Sequence, residues 1–174
     1  MIKELLLSFL SISEPSFASN ITQGQMDEFQ RMEAYCLAEN VYHEARNQPL
    51  AGQMAVISVT INRVNDERFP DTICGVVKEG PHRPSWKGTG EMIPVRHRCQ
   101  FSWYCDGKSD TVYDEETFIN ILTLTEIIVS GSIQVLDITE GATHYHADYV
   151  SPAWAQTKTK TIEIEDHIFY RWEK

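Results

Sequence analysis

Apolar positions along this chain recur at helical intervals through the first two thirds and alternate in the tail. From about Gln25 to Arg46, residues Leu37, Val41, Glu44 and Ala45 fall at i, i+4, i+7 and i+8, one face of a helix. Asn47-Gln48 closes that helix, and Pro49 suits the first turn of the next. Between Leu50 and Val64 the β-branched composition predicts a strand, yet Met54, Ile57, Ile61 and Val64 keep helical spacing. Val56 and Val59 add a second stripe, so a buried helix is expected, with a strand as the alternative. Phe69-Pro70-Asp71 reads as a turn, and Thr72 to Lys78 as a short helix or strand. Asp114 is an N-cap with Glu115 and Glu116 in the first turn. The apolar side of that helix runs through Phe118, Ile121, Leu122 and 124–129 to Gly131 at C′. Beyond it, Gln134 to Ile138, Ala142 to Val150 and Thr161 to Tyr170 alternate like strands. Helices first and strands last predict a single α+β domain over residues 25–174, behind a leader over 1–24.

Between these blocks, residues 79–110 form a long irregular stretch carrying Trp86, Phe101, Trp103 and Tyr104. A loop of that length inside a small domain is either functional or disordered, and its aromatics argue against disorder. Such rings either stack on sugars in a groove or form a satellite apolar cluster under the loop.

Glu44 is the one acid placed on an apolar helix face, while Glu33, Glu39 and His43 are expected to point elsewhere, toward water. Desolvation disfavours a charged carboxyl and raises its pKa, which makes a general acid that keeps its proton near neutrality. A buried glutamate paired with Arg46 or Arg63 explains the same spacing equally well.

Charge and composition narrow the field. The 174 residues suffice for one domain, and a net charge of −10 argues against a nucleic-acid-binding surface. No run approaches a membrane span. Met1-Ile2-Lys3, the apolar run Leu5 to Ile12 and Ser16-Phe17-Ala18 predict an export signal cut after Ala18. Four cysteines fit an exported protein, pairing Cys99 with Cys105 and Cys36 with Cys74; four reduced, buried thiols are the alternative.

On a strand, His144 and His146 share one face and Tyr145 takes the other. Two histidines at that spacing could bind zinc, with a third ligand from His43, His82, His97 or His167. No His-Glu-x-x-His pattern supports this, so no metal or other cofactor is expected. A nucleophile elbow is absent, and Gly88-Thr89-Gly90 lacks the lysine of a phosphate loop.

Tyr42-His43-Glu44-Ala45-Arg46, Gly52 with Ala55-Val56, and Asn62-Arg63-Val64 resemble the cell-wall hydrolases of the SleB, or spore cortex-lytic, type. So do Gln100-Phe101-Ser102-Trp103, Ala142-Thr143-His144-Tyr145-His146 with Pro152 and Trp154, and His167-Ile168-Phe169-Tyr170. The resemblance covers residues 34 to 171 in register and is greatest to small single-domain members from phages and Gram-negative bacteria. It implies a lysozyme-like fold and cleavage of peptidoglycan between N-acetylmuramic acid and N-acetylglucosamine, with Glu44 in the catalytic position. A lytic transglycosylase needs one carboxyl, because the muramic C6 hydroxyl attacks its own anomeric carbon. A hydrolytic muramidase needs a second, for which Asp106, Asp110, Glu140 and Asp148 are available. Gln100, Ser102, His144, Tyr145 and His146 are the residues expected to hold the sugars, with Phe101 and Trp103 as the stacking wall. The remaining expectations are a monomer acting on glycan strands, without stable membrane insertion, exported to the periplasm or envelope or released from a phage. A zinc amidase or peptidase built on the histidines is the other enzymatic alternative.

Overall fold

A computed structural model describes residues 23–173 of the chain. The expected export signal lies outside the described residues. Four α-helices precede a three-stranded sheet: α1 (Gln23–Ala45), α2 (Leu50–Val64), α3 (Ile73–Val77) and α4 (Glu115–Val129). No helix among the described residues is long and apolar enough to cross a membrane.

The central helix is α1, which packs against α2, α3 and α4. Its apolar face buries Leu37, Ala38, Val41, Tyr42 and Ala45 against Val56 and Ile57 of α2 and Phe118, Ile121 and Ile128 of α4. Helix α2 forms despite its β-branched run because Ala55 to Thr60 are buried without interruption. A segment enclosed on several sides gains more from packing than it loses in helix propensity, which spans well under about 1 kcal/mol per ordinary residue. Gly52 permits the close approach to Gln48, whose Cβ lies 2.7 Å from where a glycine-replacing Cβ would stand.

The caps follow the sequence. Asp114 accepts the Thr117 amide at 3.0 Å and opens α4. At the other end Gly131, at φ 74°, lets the Ser132 amide reach the Ile127 carbonyl and its own amide reach Ile128. Glu33 departs from expectation. It is buried, and its carboxylate accepts the Ile73 and Cys74 amides at 2.6 and 3.2 Å, holding the start of α3 against α1. Cys36–Cys74 closes the same junction and Cys99–Cys105 closes the aromatic loop, as paired from the sequence.

Strands β3 (His144–Ala147), β4 (Thr159–Ile164) and β5 (His167–Arg171) form an antiparallel sheet in the order β3-β5-β4. Tyr145 pairs with Phe169 across β3 and β5. Phe169 is fully buried beside Ala55, Val59 and Ala142, which docks the sheet on α2. The tail departs from the sequence reading in two places. Thr161 to Tyr170 is no single strand, because Glu165 at φ 52° turns the chain between β4 and β5. Gln134 to Ile138 is a loop rather than a strand, since the Asp137 carboxylate takes the Thr139 and Gly141 amides at 2.8 and 2.6 Å. Local side-chain acceptors of this kind compete with ladder formation. Within the irregular 79–110 stretch stands a small hairpin, β1 (His82–Pro84) with β2 (Met92–Pro94), followed by a 3-10 turn at Ser102–Cys105.

Candidate active site

The last turn of α1 delivers Glu44 to the floor of a cleft of about 500 Å³. One wall is the loop Gln100 to Trp103 with Asp106, and the other is β3 and its continuation through Tyr149 and Val150. Arg63 from α2 and His167 from β5 complete the lining.

The two walls are set by buried polar contacts. Asn40, with 0% exposure one turn before Glu44, donates to the Thr60 hydroxyl at 3.2 Å and accepts the Trp103 indole N–H at 3.0 Å. One amide thus ties α1, α2 and the aromatic wall together. His43 stacks on Trp103 at 4.4 Å and 20°, so this neighbour of Glu44 is half-buried rather than solvated. Burial lowers its pKa and keeps the ring neutral near pH 7, against the pull of Asp110 and Asp106.

Alternation on β3 points Tyr145 at α1, where its hydroxyl donates to Glu44 Oε2 at 2.7 Å. Burial raises the Glu44 pKa, while this hydrogen bond and the nearby Arg63 cation hold it down. Burial and the neighbouring Glu44 raise Tyr145 well above an ordinary phenol, so it remains a donor. Arg63, 4% exposed, donates from Nε to the Thr143 carbonyl at 2.7 Å and lies under Phe101 at 4.8 Å. Among the described residues, its Nη1 and the Nδ1 of His167 have no hydrogen-bond partner. The site therefore pairs a desolvated carboxyl with a neutral donor and a cation set behind it, an arrangement suited to giving and retrieving one proton.

Of the residues singled out in the sequence, Glu44, Gln100, Phe101, Ser102, Trp103, Tyr145 and His146 line this cleft. His144 is not brought to it. That ring lies among Trp154, Trp172 and Phe69 at 5.4 to 6.1 Å, and burial with Arg63, Lys158 and Arg68 nearby lowers its pKa to about 3. His146 stacks on Tyr170 at 5.2 Å, with Nε2 3.0 Å from the tyrosine hydroxyl. Among the described residues no three His, Cys, Asp or Glu side chains gather in a metal-binding group. The sequence reading missed Tyr149 as a cleft residue, weighed His43 and His167 only as possible zinc ligands, and gave Arg63 no role beyond a partner for Glu44. A cation inside the apolar run of α2 was the available signal for Arg63, by the reasoning that singled out Glu44 on α1.

Residues 47–170 match the family described as Cell Wall Hydrolase. The chain belongs to that family. The stretch matched by the Cell Wall Hydrolase family includes both cleft walls and begins three residues after Glu44. The chain is also similar to the spore cortex-lytic enzyme of Halalkalibacterium halodurans, 28% identical over 153 residues, 87% of this chain and 37% of that protein. With the Bacillus subtilis spore cortex-lytic enzyme it shares 36% identity over 66 residues, 38% of this chain and 20% of the relative. The chain thus spans less than two fifths of the length of these curated relatives. Among solved structures, the catalytic domain of Bacillus cereus SleB superposes with a TM-score of 0.52 at 26% identity, covering 80% of this chain and 89% of that one. The catalytic domain of the germination-specific lytic transglycosylase SleB from Bacillus anthracis matches at the same TM-score and identity, covering 91% and 100%. The α+β arrangement expected from the sequence is thereby the SleB catalytic fold.

Proposed function

We propose that this chain degrades peptidoglycan as a lytic transglycosylase, with Glu44 as the acid and then the base. Glu44 protonates the glycosidic oxygen between N-acetylmuramic acid and N-acetylglucosamine as the bond to the anomeric carbon breaks. The carboxylate then takes the proton from the muramic C6 hydroxyl, whose oxygen closes on the same carbon to leave a 1,6-anhydro end. One carboxyl serves both steps, and no water enters. The observation that carries this reading is the Glu44 carboxyl at the cleft floor, desolvated by burial yet bonded to the Tyr145 phenol. Gln100 and Ser102 supply polar contacts for the N-acetyl groups, and Phe101 and Trp103 an aromatic wall. Membership of the Cell Wall Hydrolase family and the B. anthracis transglycosylase neighbour support the substrate and the outcome. The setting in which such an enzyme meets its substrate is the cell envelope, reached by export or by release from a phage.

A hydrolytic muramidase is the second reading, because Asp106 lines the same cleft and could serve as its second carboxylate. Mass spectrometry of muropeptides from purified sacculi separates the two. Products lighter by one water, with Asp106→Asn still active, are expected; hydrated muramic ends lost in Asp106→Asn would establish the hydrolytic route instead. Released peptides without glycan cleavage would remove both readings.

A further inference from the structure

Beside the cleft, on the side of the His43–Trp103 stack, lies a second concavity of about 340 Å³. The two share His43, Trp103 and Asp106, so that stack is a partition rather than an end wall. Their chemistry differs. The cleft sets Glu44, Asp106 and Arg63 among aromatic and neutral polar groups, whereas the neighbouring pocket gathers two cations, Arg46 and Lys108, with Asp106 and Asp110. Four formal charges of both signs serve no purpose for an uncharged sugar ring. They suit a ligand that itself carries carboxylates and an amine.

The pocket is braced chiefly by bonds to its backbone. The Tyr42 hydroxyl accepts the Tyr113 and Asp114 amides at 3.1 and 3.0 Å, fixing the far end of the 106–113 loop to α1. Asp106 Oδ1 accepts the Lys108 amide at 2.7 Å, and the Ser109 and Thr111 hydroxyls bond at 2.5 Å to brace the turn. Arg46 lies 5.1 Å over the Tyr42 ring, and the Lys108 side chain is 83% exposed, 3.8 Å from Asp106. Lys108 is thus weakly held and free to exchange partners.

Resting on the transglycosylase reading, we propose that this pocket takes the peptide stem of a muramic acid bound in the cleft, making the enzyme selective for peptide-bearing glycan. A muramic acid that bears a stem carries it on its lactyl ether, as a short peptide with carboxylates and, where a diamino acid is present, a free amine. Arg46 and Lys108 take the carboxylates, and Asp106 and Asp110 the amine. The glycan and its stem straddle the His43–Trp103 partition.

The test compares intact sacculi with glycan strands stripped of stems by an amidase. Wild-type kcat/KM on intact material exceeds that on stripped strands by about tenfold or more, the size of one charge-assisted contact. Arg46→Ala and Lys108→Ala each bring that ratio toward one. Equal rates on both substrates in the wild type would overturn the stem pocket while leaving the transglycosylase reading intact. So would an Arg46→Ala loss of equal size on both, which would assign the pocket to sugar. Co-sedimentation of Glu44→Gln with the two substrates reads the preference without turnover: tighter binding to intact material is expected, and equal binding overturns the stem pocket. Peptide release in place of anhydro ends would overturn the catalytic reading alone if that binding preference persisted.

Discussion

Glu44→Gln separates the catalytic burial of this carboxyl from a structural one, because the two predict opposite signs in stability. The amide keeps the shape of the side chain and an acceptor for the Tyr145 hydroxyl, now donated to Oε2 at 2.7 Å. It removes the transferable proton. General acid–base catalysis by a placed side chain is worth about 10²–10⁴ in rate, or about 3 to 5 kcal/mol of barrier, so clearing of sacculus turbidity should fall by at least a hundredfold. Stability should move the other way. Burial raises the Glu44 pKa over the opposing effects of Tyr145 and Arg63. An acid raised in the folded state contributes stability that is full below its unfolded pKa, about 4.3, and lost as pH rises through the folded value. Raising the pH from 4 to 8 shifts the wild type toward a partly desolvated anion that glutamine lacks. Relief of about 1 kcal/mol in a chain of this size raises the melting midpoint by about 2–4 °C, with little change at pH 4. Calorimetry at the two pH values, beside the turbidity assay, checks both halves. Clearing within tenfold of wild type would remove Glu44 as the acid. A variant less stable than wild type at pH 8 would show that Glu44 is a satisfied ion-pair partner of Arg63, and the burial argument would fail.

Tyr145→Phe deletes the hydrogen bond that favours ionised Glu44, so its carboxyl stays protonated to higher pH. The alkaline limb of the kcat/KM profile on sacculi should therefore move upward, and a limb that stays or moves down would contradict the assignment. Loop-closure arithmetic gives the Cys36–Cys74 bridge, whose ends are 38 positions apart, about 4 kcal/mol and Cys99–Cys105, 6 apart, about 2. Replacing the first pair by alanine should lower the melting midpoint more than replacing the second, and the reverse order would mean that α3 is held chiefly by Glu33.

What could be read from the sequence was what a single element decides for itself. Helix α1 and its acid were legible because burial on one face imposes a spacing that Glu44 interrupts. The caps of α4 were legible because Asp114 and Gly131 act on backbone within their own turns. For helix α2 the same periodicity favoured a helix but left the strand open, and burial on several sides decides between them. The pattern of 134–138 misled because five residues are too few to separate a strand from a loop that carries Val135, Leu136 and Ile138. Only Asp137, by collecting neighbouring amides, decides against pairing there.

The rest of the site is tertiary and has no local signature. Asn40 and Trp103 stand far apart in sequence, yet their bond fixes the aromatic wall one turn from the acid. Removing either partner would strand a buried donor or acceptor, at about 1–3 kcal/mol, and would free the wall to move. A transglycosylase needs that rigidity more than a two-carboxylate enzyme does. With one group serving as acid and base in turn, the same oxygen must face the glycosidic bond and then the C6 hydroxyl, with no second residue to correct its position. Tyr145 from β3 bonds that carboxyl directly, and the Asn40 clasp, one turn earlier on the same helix, fixes the aromatic wall beside it. The proposed catalytic centre accordingly sits where α1, α2, the 100–103 wall and the sheet meet, and the precision that the proposal requires depends on all four.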